Sequence, residues 1–274
     1  MGVAPARRLR LAADPVAAGP RGVRRVSAWS QDWIVPDWPA PARIKACVTT
    51  RLGGVSQAPF DTFNLGDHVG DDPLAVARNR QVLADALGCR PAWMSQVHSS
   101  IAVEADPERV LEADACWTAR DGIACAVLTA DCLPVLFCDR DGTRVAAAHA
   151  GWRGLAGGIL EATMDALAVP ADQLLVWLGP AIGPAAFEVG PEVREAFVAQ
   201  HPEAADAFVP GANAGRLLGD LYALARIRLA ARGVAAVYGG GLCTFSEARF
   251  YSYRRAPRTG RLASLVWIDP SDGR

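Results

Sequence analysis

The segment IACAVLTADCLPVLFCDRDGTRVAAAH, residues 123–149, carries the pattern that decides the fold. Ile123–Thr129 and Leu133–Cys138 are apolar runs of strand length, and a short polar interruption separates them. Asp139-Arg-Asp-Gly142 contains the Asp-Gly signal of a tight turn, and Thr143–His149 follows as the returning strand. The segment therefore predicts buried strands joined by a β-hairpin.

Strand and helix patterns alternate on both sides of this hairpin. Further strands are predicted at Ile44–Thr50, Leu174–Leu178, Val234–Tyr238 and Leu262–Ile268. Helices are predicted from Asp72-Pro73 to Gly88, through Leu155–Ala166, over Pro191–Ala199, and over Leu217–Arg232 with Gly233 as the stop. Hairpins mixed with helices indicate the α+β (mixed α/β) class. We expect a single domain over residues 29–270 with a mixed β-sheet flanked by helices.

Composition excludes several classes of function. The formal net charge of −1 gives no reason to expect nucleic acid as a partner. No apolar run approaches the roughly 20 residues of a membrane span. The odd count of seven cysteines, several of them in apolar runs, is typical of free thiols in a reducing compartment and predicts a cytoplasmic protein. The sequence does not determine the oligomeric state and is compatible with a monomer.

The first 28 residues differ from the rest of the chain. Met1–Ser27 contains six arginines and a single acidic residue, Asp14. Three prolines break any helical pattern, and the serines typical of transit peptides are scarce. We predict a disordered Arg-rich extension over residues 1–28.

Three residues form the strongest chemical pattern. His98 ends a short predicted strand, Cys132 lies in the polar interruption of the hairpin, and His149 precedes a glycine-rich turn. If the turn is centred on residues 140 and 141, Cys132 and His149 face each other, and centring it one residue later makes them diagonal neighbours. Both registers keep the two side chains on one face, at about 4.5–5.5 Å between Cβ atoms when directly opposed. The glycines of His149-Ala-Gly-Trp-Arg-Gly154 indicate a close approach of the backbone to another group.

A thiolate with two imidazoles is a donor set that zinc prefers, and it leaves the fourth tetrahedral position open. We therefore predict a catalytic zinc site at His98, Cys132 and His149, and the same donors could accept copper. Two alternatives use the same residues. Cys132 could be a nucleophile with His149 as its base and Asp131 or another acid to orient the histidine, or Cys132 and both histidines could be ordinary core residues.

A series of motifs extends this pattern over most of the chain. The motifs are Thr49–Ser56, Phe63–Gly66, His68–Asp72, Gln96–His98, Thr129–Cys132, His149–Gly154, Gly179–Pro184, Cys243-Thr244, Ser252–Arg255 and Gly260-Arg261. On these residues the chain from Trp33 to Ile268 resembles the YfiH-type proteins, also called the laccase-domain or multicopper polyphenol oxidase-like family. Ala185-Ala186 departs from the cysteines that many relatives have there, without touching the predicted ligands.

The resemblance implies that His98, Cys132 and His149 are zinc ligands. It also implies phosphorolysis of adenosine, inosine, guanosine and methylthioadenosine, so purine nucleoside and phosphate are the expected substrates, and it implies adenosine deamination. The alternatives are a peptidoglycan-editing amidase, a copper-dependent polyphenol oxidase, and a zinc module without catalytic activity.

Four further residues are candidates for contact with the substrate. Arg51, beside two glycines, is a candidate for phosphate or ribose because loop arginines suit oxyanions. Asp131 is a candidate for proton transfer or for orienting a ligand. Asn64 and Arg153 are candidates for substrate binding. Each has a structural alternative: a solvated loop charge, a strand cap, a turn residue or a partner of a carboxylate.

Overall fold

A computed structural model of the protein describes residues 32–270. The extension predicted over residues 1–28 lies outside the described residues. The strands of the described range are β1 (Ile44–Val48), β2 (Arg90–Ala92), β3 (Met94–Ser95), β4 (Ala102–Glu104), β5 (Leu111–Glu112), β6 (Ala115–Thr118), β7 (Ile123–Thr129), β8 (Leu133–Asp139), β9 (Val145–Ala150), β10 (Leu174–Leu178), β11 (Glu188–Val189), β12 (Phe208–Pro210), β13 (Leu217–Gly219), β14 (Val237–Gly239) and β15 (Leu262–Ile268). Its α-helices are α1 (Pro73–Leu87), α2 (Trp152–Gly157), α3 (Ile159–Leu167), α4 (Pro191–Val198) and α5 (Leu221–Ala231).

Two mixed β-sheets pack face to face at the centre of the domain. The first has the strand order β1-β15-β7-β2 and the second the order β14-β10-β8-β9-β6-β4. Each sheet combines antiparallel pairs with a parallel pair or pairs at its edges. The predicted α+β class, with mixed sheet flanked by helices in a single domain, is confirmed. The structure adds that most strands are divided between two packed sheets, and that the described residues also form a three-stranded and a two-stranded sheet.

The central hairpin is apolar along its whole length because both of its faces are buried. Val135 and Phe137 of β8 pack towards α2–α5, whereas Leu136 and Cys138 pack towards the four-stranded sheet. Helix α1 covers the opposite face of the four-stranded sheet through residues such as Leu83. The layers are therefore helices, sheet, sheet and helix, and the continuous apolar runs are typical of strands covered on both sides.

Local signals place the ends of α1. The Asp72 side chain accepts a hydrogen bond from the backbone N–H of Leu74, and Pro73 takes the first helical position. Gly88 ends the helix with φ of 64°, a left-handed conformation that favours glycine.

No helix within residues 32–270 combines the length and the apolar character needed to cross a membrane.

Two helix predictions need correction. The apolar spacing over residues 155–166 predicts one helix, but the structure has two. Gly158, with φ of 98°, separates α2 from α3. The helix predicted from Leu217 starts too early. Leu217–Gly219 is a strand, β13, and the Asp220 side chain caps α5 by accepting from the backbone N–H groups of Tyr222 and Ala223.

Candidate metal centre

Two loops and the end of one strand bring His98, Cys132 and His149 together. His98 follows β3, Cys132 lies between β7 and β8, and His149 is the penultimate residue of β9. One donor atom from each residue lies within 4.8 Å of the others, and the Sγ atom of Cys132 is 3.7 Å from Nε2 of His98. The structure therefore brings the three predicted ligands into one group that could hold a metal ion.

The distance between the donor atoms of Cys132 and His98 fits tetrahedral coordination of one ion. With a metal–sulfur distance of about 2.3 Å and a metal–nitrogen distance of about 2.0–2.1 Å, two ligands at the tetrahedral angle lie about 3.6 Å apart. The observed separation of 3.7 Å between Cys132 Sγ and His98 Nε2 is close to this value. Within residues 32–270 this is the one group of three or more such side chains that could hold a metal.

The register of the hairpin explains the glycine at position 151. In the observed register Pro134 pairs with His149 and Leu133 with Ala150, so Cys132 and His149 are diagonal neighbours. Continuing the register places Gly151 opposite Cys132. A Cβ atom at Gly151 would lie 2.6 Å from Cδ2 of His98 and 3.0 Å from Sγ of Cys132. The predicted close approach is thus the approach of the His98 side chain to the backbone of residue 151.

A fully buried carboxylate, Asp114, holds two of the three donors in place. Its Oδ1 atom accepts from Nδ1 of His149 at 2.8 Å and from the backbone N–H of His98 at 3.0 Å. Its Oδ2 atom accepts from the backbone N–H of Val97 and from the backbone N–H and hydroxyl of Ser99. Because Nδ1 of His149 is engaged by Asp114, Nε2 is left as the donor for a metal.

The backbone at the site is strained. His98 has φ of 61° and Asp131 has φ of 101°, and Ala168 is the other non-glycine residue of the described range with positive φ. Such conformations persist only where the surroundings impose them. The backbone hydrogen bond from His98 to Asp114 holds His98 in this conformation. Asp131 is held through its side chain, which accepts from the Thr244 hydroxyl and from the backbone N–H of Arg254, each at 2.6 Å.

The protonation of the group suits a thiolate ligand. Burial raises the pKa of the Cys132 thiol, but attraction by His149 and hydrogen bonds with both histidines outweigh burial and lower the pKa to about 6. Burial likewise lowers the pKa of His149, and the Cys132 thiolate and Asp114 outweigh it and raise the pKa to about 9. In the metal-free protein at neutral pH, Cys132 is therefore a thiolate beside an imidazolium, available as a metal ligand or as a nucleophile.

The three donors open into a cavity of about 370 Å³. The cavity is lined by both polar and apolar side chains, namely His68, Gln96, His98, Leu128, Thr129, Ala130, Asp131, Cys132, His149, Trp152, Arg153, Ile182, Phe187, Leu221, Tyr253, Arg254 and Arg261. Its volume lies in the range of small-molecule sites. In the described part of the chain none of its three arginines forms a salt bridge with a carboxylate.

The structure places two of the four predicted substrate residues at this cavity and two outside its lining. Asp131 and Arg153 line the cavity. Arg51 instead binds the backbone oxygen and the carboxylate of Asp61, and its guanidinium lies 5.1 Å from the ring centre of Tyr251. Asn64 is fully buried, and its side-chain oxygen accepts from the backbone N–H of Arg261 at 2.8 Å.

Sequence reasoning missed Asp114 and Arg261 as parts of this site. Asp114 stands as a single carboxylate among small apolar residues in Ala113-Asp-Ala-Cys116, and that contrast was the available signal. Arg261 reaches the cavity because Leu262 of β15 pairs with Thr129, two residues before Asp131. Gln96 joins the same region to β7 by exchanging two hydrogen bonds with the backbone of Leu128.

The fold and the site together define an α+β protein with a His–Cys–His group that could hold a metal and that lines a cavity of about 370 Å³. Residues 45–269 match the model of the family described as multi-copper polyphenol oxidoreductase laccase, and the chain belongs to this family.

Named relatives share most of the chain. A purine nucleoside phosphorylase of Pseudomonas aeruginosa is 71% identical over 237 residues, which cover 86% of this chain and 98% of the relative. The purine nucleoside phosphorylase YfiH of Escherichia coli is 51% identical over 240 residues, with coverage of 86% and 98%. The crystal structure of a Neisseria meningitidis protein superposes with a TM-score of 0.85 at 52% identity, covering 87% of this chain and all of that one.

Proposed function

We propose that the protein is a zinc-dependent purine nucleoside phosphorylase acting on adenosine, inosine, guanosine and methylthioadenosine. One observation carries the proposal: the His–Cys–His group opens into a cavity whose arginines have no carboxylate partner within residues 32–270 and whose remaining lining is largely apolar. Such a cavity offers positive charge for phosphate and apolar surface for a purine. The names of the relatives support the same reaction.

In phosphorolysis an oxygen of phosphate bonds to C1′ of the ribose while the bond from C1′ to N9 breaks. The bonding electron pair leaves with the purine, and a proton reaches the purine nitrogen. The chain must therefore bind the phosphate oxyanion, hold the ribose in line and favour the departing base. The arginines of the cavity serve the first task, and Phe187 and Trp152 offer aromatic surface to the base.

Zinc bound by His98, Cys132 and His149 would supply a concentrated positive charge beside the reacting groups. We propose zinc rather than copper because a thiolate with two imidazoles and an open fourth position is a usual catalytic zinc set. The role of Asp114 is then to fix the orientation of the His149 ring and the loop that carries His98.

Asp131 is our candidate for proton transfer if adenosine is also deaminated. Its carboxylate lines the cavity, and each oxygen already accepts one short hydrogen bond, from Thr244 or from the backbone of Arg254. We propose that Asp131 first holds the Arg254 segment against the cavity. A proton would then be exchanged at a remaining lone pair of the carboxylate.

The oxidase alternative requires a cluster of copper ions ligated by many histidines. The chain contains four histidines, and its described residues contain one group that could hold a metal. This donor set favours a single metal and therefore phosphorolysis over multi-copper oxidation.

Product analysis tests the proposal. Metal-quantified protein is supplied with adenosine, with and without phosphate, beside the Cys132→Ala variant. We expect phosphate-dependent release of adenine and ribose-1-phosphate by the wild type and its loss in the variant. Undiminished turnover by metal-stripped wild type would favour Cys132 as a nucleophile. Absence of both adenine and inosine from fully zinc-loaded protein would refute the proposal, and muropeptides would then be the next substrates to test.

A further inference from the structure

Arg261 differs from the other cationic residues of the cavity in how firmly it is held. Its backbone N–H donates to Oδ1 of Asn64. Asn64 is itself fully buried, and its Nδ2 atom donates to the backbone oxygen of Gly66 and to Oδ2 of Asp71. The stem of Arg261 lies against Gly66, where a Cβ atom would come within 2.7 Å of Cγ of Arg261. These contacts fix the start of β15 and the direction of the side chain.

One edge of the Arg261 guanidinium is anchored and the other is available. The Nη1 atom donates to the backbone oxygens of Thr259 and Gly260, each at 3.1 Å. Among residues 32–270 the Nε and Nη2 atoms have no hydrogen-bond acceptor, and the guanidinium forms no salt bridge. Arg261 lines the same cavity as the three candidate metal ligands. The free edge presents two parallel N–H groups, which is the geometry that binds two oxygens of one oxyanion.

The electrostatic surroundings agree with this geometry. Burial lowers the pKa of the Arg261 guanidinium, and the nearby charges of Cys132 and Asp131 oppose the shift without reversing it. An arginine stays protonated at neutral pH even so. Arg261 is thus a partly desolvated cation close to the three candidate metal ligands. A bound anion would replace the hydrogen bonds with water that the guanidinium loses on burial.

The other two arginines of the cavity are more exposed and otherwise engaged. Arg153 stacks on Trp152, with its guanidinium carbon 4.5 Å from the ring centre. Arg254 donates from Nη1 to the backbone oxygen of Glu188 and lies over Phe187. Water screens charges on exposed side chains, so these two arginines offer a weaker and less fixed field to a bound anion.

We propose that the Nε–Nη2 edge of Arg261 is the oxyanion subsite of the cavity and binds the phosphate co-substrate. The assignment rests on the proposed function, and it replaces Arg51, which is paired with Asp61 outside the cavity lining. Asn64 then acts as a positioning residue, because it sets the backbone of Arg261 without lining the cavity.

The test uses the full-length, metal-loaded protein and inorganic phosphate as the probe. Calorimetric titration measures the Kd of phosphate for wild type, Arg261→Gln, Arg261→Lys and the control Arg258→Gln, an exposed arginine of the same loop that does not line the cavity. A bidentate charged contact predicts that Arg261→Gln raises the Kd about 10-fold to 100-fold. Arg261→Lys should weaken phosphate binding less than Arg261→Gln does, since it keeps the charge. The phosphate Kd of Arg258→Gln should match that of the wild type.

Steady-state kinetics separate this subsite from the proposed reaction. We expect Arg261→Gln to raise KM for phosphate while KM for adenosine changes less than about twofold. If the wild type binds phosphate through Arg261 yet releases no adenine, the proposed function fails and the subsite stands. If adenine is released and the phosphate KM and Kd of Arg261→Gln match the wild type, the subsite is refuted and the function stands. A wild type that binds no phosphate also refutes the subsite.

A second variant covers the case in which Arg261→Gln does not fold. Gly66→Ala keeps every charge but places a methyl group against the stem of Arg261. It should weaken phosphate binding at unchanged metal content, and unchanged phosphate binding in a folded Gly66→Ala protein would contradict the proposal.

Discussion

Replacing Asp114 by asparagine should weaken metal binding without removing a ligand. The carboxylate accepts hydrogen bonds from His149, from Val97, from the backbone of His98, and from both the backbone and the hydroxyl of Ser99. An amide has one oxygen, so its NH₂ group must face donors on one side. Either Nδ1 of His149 and the backbone N–H of His98 lose their acceptor, or the backbone N–H groups of residues 97 and 99 lose theirs.

The size of the effect follows from these contacts. A buried N–H group without an acceptor costs about 1–3 kcal/mol, and the N–H groups of residues 97 and 99 are only partly buried, so the loss in the free energy of unfolding should be about 2–3 kcal/mol. Loss of a carboxylate that orients a ligating histidine lowers metal affinity about 10-fold to 100-fold. The destabilisation is smaller than the roughly 5–15 kcal/mol of a typical domain, so the variant should still fold.

Two assays and one control complete this test. Competition with a chromogenic chelator gives the Kd for zinc, and urea unfolding of the metal-free protein gives the free energy of unfolding. The control is Asp139→Asn, another buried carboxylate, which accepts from the backbone N–H groups of Thr143 and Arg144 in the hairpin turn. It should lose stability and keep its zinc affinity. A folded Asp114→Asn protein with a zinc Kd within about twofold of the wild type would refute the reasoning.

Two further predictions concern the same group. Gly151→Ala should reduce zinc affinity at least tenfold, because the new Cβ atom would lie 2.6 Å from His98, whereas Gly157→Ala, with nothing within 4 Å of its Cβ atom, should leave zinc affinity unchanged. Equal zinc titrations for the two variants would contradict the steric argument. In metal-stripped protein, iodoacetamide should alkylate Cys132 with a midpoint near its pKa of about 6, so the rate falls as pH drops below that value, and added zinc should block the reaction. Mass spectrometry distinguishes Cys132 from the partly exposed Cys243, and an alkylation midpoint above pH 8 at Cys132 would overturn the assignment.

The parts of the fold that depend on neighbouring residues could be predicted from the sequence. Strands β7, β10 and β15 have the predicted limits, and the Asp72 and Gly88 caps end α1 as expected. Both the Asp-Gly turn and the pairing of the two strands that it joins are confirmed. The predicted helix limits were wrong where a helical pattern of apolar residues runs across the start of a helix. Gly158 begins α3 within the 155–166 pattern, and Asp220 begins α5 within the helix predicted from Leu217.

The site was predictable only as far as residue chemistry and the hairpin allowed. Cys132 and His149 could be related through the turn between them, whereas His98 could be proposed only from its residue type and its place at the end of a short strand, in agreement with the family resemblance. Asp114 and Arg261 act through contacts across 35 residues to His149 and 197 residues to Asn64. No spacing rule covers such separations, because they depend on which strands become neighbours in the two sheets.

The register of the β8–β9 hairpin makes the geometry of the candidate metal centre depend on a distant turn. The turn at residues 139–142 lies seven residues from Cys132, or about 23 Å along an extended strand. Inserting or deleting one residue there would change which residue faces Cys132, and a side chain would then occupy the space that Gly151 leaves for His98. Natural variation in turn length, which surface hairpins usually tolerate, should therefore be selected against in this family as strongly as loss of a ligand.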